Sequence, residues 1–437
     1  MTSLAAVWLW GSRIGGVELP DGDSVARFEY DGSFARADIE VAPIEMPLAA
    51  GRIFSFPANS GEGFSGLPGL LADSLPDRFG NAIIDAWLAS RGRPASSMNA
   101  VERLCYVGTR GMGALEFEPT TGPEPTPSRE VEVEELRQLA GEVLRQRAGL
   151  GVSFQSDDRR SALDEIIRVG SSAGGARAKA LIAFNPATAD VRSGQVDGDS
   201  GYEYWILKFD GVDDSTREFG NAKGYGTVEF AYAEMARAAG IDVSETRLLE
   251  DGDRRHFMTR RFDRTLAGGK IHMQSLSALA HLDYNLVRSH SYEQAFRVMR
   301  QLRLSASERE QMFLRMLFNV VARNQDDHVK NISFLMDRAG GWTLSPAYDV
   351  TYAYNPKPGS NTSEHQMSLN GMRDHFTITD IVDVGEIVPL PRGRAKQLLE
   401  RVVDAVSRWP ALAGSAGVDS SKISAIRATH RLQLPQG

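Results

Sequence analysis

The stretch from Ser305 to Asp349 constrains this chain more than any other. SASEREQMFLRMLFNVVA opens with Ser305 and Glu308 at the spacing of a capping box. Met312, Phe313, Met316, Leu317, Val320 and Val321 then recur with helical periodicity, so the helix buries one face. It runs straight into RNQDDHVKN (323–331), where carboxylates, amides, a histidine and a lysine crowd together. NISFLMD, a turn at RAGG and WTLSPAYDV read as a β-hairpin whose far strand delivers one more carboxylate, Asp349. A polar loop at the end of a buried helix is either a solvated turn or a site, and a returning carboxylate favours the site.

Helix, polar loop, hairpin and Asp, in that order, is the layout of a protein-kinase catalytic core. There a loop Asp takes the hydroxyl proton and an Asn five positions later holds metal. Asp326 and Asn331 are five apart, which selects Asp326 over Asp327 as the base. Asp349 takes the second metal role. Lys330 falls near the transferred phosphoryl, where an ammonium offsets developing charge.

Two upstream stretches fit the same plan. In RVGSSAGGARAK (168–179) a Gly-rich loop exposes backbone N–H groups suited to phosphates. Gly170 and Gly175 have Walker A spacing, but Ala176 stands where its Lys must be, and the apolar run ALIAF that follows reads as a strand. A kinase-type phosphate cover fits better than Walker A, and a plain surface turn is the ordinary alternative. In YWILKFD, Lys208 ends an alternating strand, where a kinase keeps the lysine for the α- and β-phosphates. Glu229, on the next helix, is balanced between pairing with Lys208 and serving as a surface Glu favoured by the helix dipole.

The remaining organisation is α+β. Residues 1–120 read as a strand-rich subdomain with a helix near 80–92, and 121–150 as a Pro-rich linker and a solvated helix, EVEELRQLAGEVLRQR. Residues 151–265 read as a strand-rich lobe carrying the Gly-rich loop, with 185–201 a loop by composition. In TVEFAYAEMARAAG, Thr227 is placed to cap the helix and Gly240 to end it. Residues 266–437 read as a helical lobe with the catalytic loop, so the core is two-lobed and kinase-like. The helix QLLERVVDAVSRW reads as core packing.

Charge and cysteine usage bound the setting. A net charge of -8 over 437 residues argues against DNA binding by the chain itself. One cysteine, Cys105 in an apolar stretch, excludes internal disulfides and Cys-based zinc sites and fits a reducing cytoplasm. The N-terminus lacks a basic region and reads as a strand, not a signal peptide. No apolar run approaches the ~20 residues of a membrane span.

These residues together resemble the HipA-type serine/threonine kinases, toxin components of bacterial toxin–antitoxin pairs. GLPGLLADSLPDRFG (66–80) and GTRGMGALEF (108–117) resemble that family's N-terminal subdomain. GSSAGGARAKAL, WILKFD, VEFAYAEMARAAGI, RRFDR, NQDDHVKN, LSPAYDV and MSLNG follow the order of its core. The resemblance implies ATP and Mg²⁺ as cofactors, Asp326 as base, and Asn331 and Asp349 as metal ligands. It implies Lys208 as the ATP-phosphate lysine, and Gly174, Gly175, Ala176, Arg177, Ala178 and Lys179 as the phosphate loop. His328, Lys330 and Tyr348 would contact the nucleotide or the transferred group, and Arg260, Arg261 and Phe262 would meet adenine through their backbone. Ser172, or the adjacent Ser171, matches an inhibitory autophosphorylation site. A translation protein such as an aminoacyl-tRNA synthetase is the implied substrate. A helix-turn-helix, HipB-like antitoxin is the implied partner, and DNA is reached only through it. Two other readings stand beside this one: a catalytically weak kinase fold acting as a co-repressor or binding module, and a small-molecule or lipid kinase.

Overall fold

The computed structural model describes residues 3–122, 132–147, 177–194, 201–212 and 223–437. Ser171, Ser172, Gly174, Gly175 and Ala176 lie outside the described residues, as does ALDEIIRVG. The chain is α+β, with a strand-rich N-terminal part.

That part is built on β1 (Leu4–Leu9), β2 (Ser12–Glu18), β3 (Arg27–Tyr30) and β4 (Ile53–Phe54). It continues through α1 (Gly69–Ala72), α2 (Arg78–Ser90), α3 (Ala100–Val107) and β5 (Leu115–Glu118). The strands pair antiparallel in the order β4-β3-β2-β1-β5. Alternation along β1 buries Ala5, Val7 and Leu9 against Phe28, Tyr30 and α3. Cys105 is fully buried in the same core. Asp77 caps α2 by accepting from Gly80 N at 2.6 Å.

The middle section comprises α4 (Val133–Arg147), β6 (Lys179–Phe184), β7 (Val191–Ser193) and β8 (Glu203–Lys208). After these come α5 (Tyr225–Ala238), β9 (Thr246–Asp251) and β10 (Arg254–Arg260). Its sheet order is β7-β6-β8-β10-β9. Three expectations for this section need correction. The stretch 185–201 contains β7, which pairs with β6. Helix α4 is not a solvated helix: Leu136, Ala140, Val143 and Leu144 are buried with α2 against Ile182, Trp205 and Leu207. Its charged residues outnumber a narrow apolar stripe, which hid that stripe in the sequence.

Thr227 does not cap α5. Gly224, left-handed at φ 85°, precedes the helix, and Thr227 Oγ1 donates back to Gly224 O at 2.9 Å. A side chain at Gly226 would meet Arg255 O at 2.7 Å and Phe257 N at 3.1 Å. The missing side chain lets the start of α5 lie directly on β10, and that closeness aims Glu229 at β8. Gly240, at φ 80°, lies just beyond the helix as expected.

The helical part begins with β11 (His272–Ser275), α6 (Leu276–Leu279), β12 (His290–Ser291), α7 (Tyr292–Gln301) and α8 (Ala306–Ala322). The hairpin β13 (Ser333–Met336) and β14 (Trp342–Leu344) follows, joined by β11 as a third strand in the order β11-β13-β14. Then come β15 (Met367–Ser368), α9 (Ile378–Ile387), α10 (Arg394–Ser407), α11 (Trp409–Ser415) and α12 (Ser420–Arg427). The Ser305–Glu308 capping box is formed in both directions, and all six apolar positions named for α8 are buried. They pack with Tyr232 and Met235 of α5 and Leu398 and Val402 of α10 in one core.

Buried histidines are expected to make the fold acid-sensitive, and burial lowers His256 in the same direction as the three that follow. Burial pushes His272, His281 and His430 down from 6.5 to about 4. Each is held neutral in the fold but takes a proton near pH 6.5 once unfolded. Their contribution is therefore present above pH 6.5 and lost as pH falls toward 4. The thermal midpoint is expected to be flat above neutrality and to drop steadily across that window. A midpoint independent of pH between 6.5 and 4 would contradict this.

Candidate active site

The site forms where the middle sheet faces the loop after α8. Lys208, at the end of β8, is 12% exposed at its side chain and lies between two carboxylates. Its Nζ donates to Glu229 Oε1 at 2.5 Å and to Asp349 Oδ1 at 2.6 Å. Glu229 is 1% exposed, and its other oxygen accepts from Arg177 at 3.1 Å. Burial pulls the Lys208 pKa down, but Asp349 and Glu229 outweigh it and hold the ammonium charged. Burial pushes Asp349 up, yet the adjacent Lys208 holds its carboxyl well below the usual carboxylate range. The structure thus pairs Glu229 with Lys208, the arrangement the sequence left balanced against a surface Glu.

Asp349 lies beyond the end of β14, not on the strand, and has φ 54°. A non-glycine residue in the left-handed region carries backbone strain, and such strain concentrates at functional sites. Opposite it, α8 ends at Arg323, also left-handed, and the chain turns into the polar loop. Asp326 is half-exposed and lies 3.9 Å from His328 Nε2. Crowding by the cleft raises its pKa, His328 opposes this, and the carboxylates of Asp349 and Asp327 add to the rise. Asn331 Nδ2 donates to the Asp326 carbonyl at 2.9 Å, which leaves its amide oxygen as the acceptor.

Asp327 has a different surrounding. It is buried, and it accepts from Tyr292 OH at 2.6 Å, His365 Nδ1 at 2.8 Å and Gln366 N at 2.8 Å. Those bonds tie the loop to α7 and to the segment before β15, so its neighbour Asp326 is the carboxylate left facing the cleft. Tyr348 OH bonds Ser333 Oγ at 2.6 Å and Lys330 O at 2.7 Å, bracing the same loop from the hairpin side. Lys330 Nζ lies 4.8 Å over the ring of Tyr284, a residue for which the sequence held no signal.

Two groups expected at the nucleotide sit elsewhere. Ala178 and Lys179 belong to the start of the middle sheet, not to a phosphate loop: Ala178 O accepts from Phe209 N, and Lys179 pairs in register with Lys208. The Lys179 ammonium is 2% exposed and bonded to Asp77, the cap of α2. Burial pushes Asp77 up and Lys179 down against their mutual attraction, as expected for a closed ion pair. Arg177 is therefore the last described residue of that stretch on the site side.

The adenine segment also narrows. Arg260 N and Arg261 N donate to Glu245 O and Tyr204 O at 2.8 Å each. The Arg261 guanidinium is buried on Asp263, which also accepts from Arg264 and from Gly113 N. Phe262 makes no hydrogen bond among the described residues, and its ring lies 5.5 Å from that of Tyr348. Of the three residues, Phe262 is the one whose backbone N–H is left for a ligand.

Residues 171–409 match the family described as the HipA-like C-terminal domain, and residues 5–118 match the HipA N-terminal domain. The "Putative kinase Y4mE" of Sinorhizobium fredii is 26% identical over 208 residues. That match spans 44% of this chain and 48% of the relative, about half the length of each. The fold is similar to that in the Shewanella oneidensis MR-1 complex of HipA, HipB and operator DNA. There the TM-score is 0.66 at 18% identity, covering 97% of this chain and 95% of the other.

Proposed function

Because the chain belongs to the family of the HipA-like C-terminal domain, we propose that it is an ATP- and Mg²⁺-dependent protein serine/threonine kinase, the toxin of a toxin–antitoxin pair. The observation that carries this reading is the convergence of Lys208, Glu229 and Asp349 opposite Asp326 and Asn331. Lys208 is held charged where it can meet the α- and β-phosphates. Asp326 takes the proton of the acceptor hydroxyl as that oxygen bonds the γ-phosphorus. The bond from the γ-phosphorus to the bridging oxygen breaks, and ADP leaves. Lys330, whose ammonium makes no hydrogen bond or close ion pair among the described residues and lies over the Tyr284 ring, offsets charge on the phosphoryl in flight.

Asn331 Oδ1 and the ionised Asp349 carboxylate are hard oxygen donors of the kind Mg²⁺ takes and would hold it. Mg²⁺ bound there supplies charge neutralisation across the phosphates. Removing divalent cations with EDTA is expected to abolish ADP formation in the presence of a protein acceptor, and Mg²⁺ to restore it. Undiminished turnover in EDTA would overturn the metal assignment.

The substrate fits a translation protein such as an aminoacyl-tRNA synthetase. The partner fits a helix-turn-helix, HipB-like antitoxin that carries the DNA contact, and the setting fits the cytoplasm. No helix among the described residues is long and apolar enough to cross a membrane. Self-phosphorylation at Ser172 or Ser171, in the Gly-rich stretch of the sequence, would add about two negative charges and repel ATP, a self-limiting device.

A further inference from the structure

Leu286 and Val287 are 56% and 41% exposed, the one pair of large exposed apolar side chains adjacent in sequence among the described residues. They stand on the turn 283–289, between α6 and β12, where polar and small residues are the rule. The turn is held rigidly. Asp283 Oδ1 accepts from Asn285 N at 2.9 Å, and His290 Nε2 bonds Asp283 O at 2.8 Å. Arg288 donates to Ser360 O at 3.2 Å and Ser363 Oγ at 3.1 Å. The same turn carries Tyr284, whose ring lies under the Lys330 ammonium and 6.0 Å from the ring of His328. One end of the turn therefore touches two side chains of the catalytic loop, and the other shows apolar surface to solvent. Apolar surface exposed beside a site offers a contact to the apolar group of a partner.

We propose that the turn 283–289 is the docking surface for the acceptor segment of the protein substrate, an extended peptide with an apolar side chain close to the phosphorylated Ser or Thr. The inference rests on the kinase reading above. An acceptor hydroxyl has to reach Asp326, which is half-exposed, and the surface continuous with that loop through Tyr284 is this turn. The apolar character of the partner follows from the turn's charge. Its cation, Arg288, lies 3.5 Å from Glu364 and its carboxylate, Asp283, already accepts from Asn285 N, which leaves Leu286 and Val287 as the distinguishing surface.

The test uses the full chain and an L286S/V287S variant, both on the surface, with Mg·ATP and an array of degenerate Ser/Thr peptides. The wild-type chain is expected to select aliphatic or aromatic residues flanking the acceptor. The variant is expected to lose that preference, with peptide KM raised about tenfold and the KM for ATP unchanged. Equal peptide KM values in the two chains would overturn the docking surface. So would a wild-type chain that labels itself but no peptide. A variant that changes only the oligomeric state would assign the turn to a second copy instead. A wild-type chain that labels neither itself nor any peptide would overturn the kinase reading beneath.

Discussion

Replacing Asp326 by asparagine is expected to lower phosphoryl transfer by about a thousandfold, while folding and nucleotide affinity stay near the wild type. The change removes the carboxylate that takes the proton and keeps the side chain's size. The loop around it is fixed by other groups: Asp327 through Tyr292, His365 and Gln366, and the Asp326 carbonyl, which the substitution leaves in place, through Asn331. The loop geometry should therefore survive, and kcat, not the KM for ATP, should carry the loss. Single-turnover rates and ATP-analogue affinity for both chains measure the two parts. A variant within tenfold of the wild type would mean that Asp326 is not the base.

Glu229→Ala is expected to be costly in both stability and activity. Its carboxylate is 1% exposed and holds Lys208 on one oxygen and Arg177 on the other. Removing it leaves two cations in a closed space with Asp349 as the remaining carboxylate against Lys208 among the described residues. Breaking a buried pair in this way costs roughly 3–5 kcal/mol. Lys208 would lose its alignment toward the phosphates, and activity should fall about a hundredfold or more in the fraction that stays folded. Glu229→Gln keeps the shape and an acceptor and should fall between. A thermal midpoint unchanged in Glu229→Ala would contradict the buried arrangement.

Much of this site could be read locally. The capping box and apolar periodicity of α8 placed the polar loop at a buried helix end, and the five-residue spacing separated Asp326 from Asp327. The hairpin reading was right in its strands but set Asp349 on one of them, whereas it falls past β14 in a left-handed conformation that no side-chain pattern announces. What the sequence hid was mostly long-range. Lys179 looked like a loop lysine because its partner Asp77 is 102 positions away and reads, on its own, as an ordinary helix cap. Glu229 was ambiguous because a helix start favours a carboxylate whether or not a lysine waits beside it. Tyr284 carries no motif and gains meaning only once the turn 283–289 is folded against Lys330. Arg260 and Arg261 looked available for adenine because strand pairing of their N–H groups depends on Glu245 and Tyr204, which lie far off in sequence.

The intact mass of the purified chain after incubation with Mg·ATP, beside the Asp326→Asn variant, tests the central claim most directly. The expected result is a gain of whole phosphate groups in the wild-type chain alone, with peptide mapping to locate them. A wild-type chain that starts without phosphate and gains none, or a variant that gains as much as the wild type, would contradict the account.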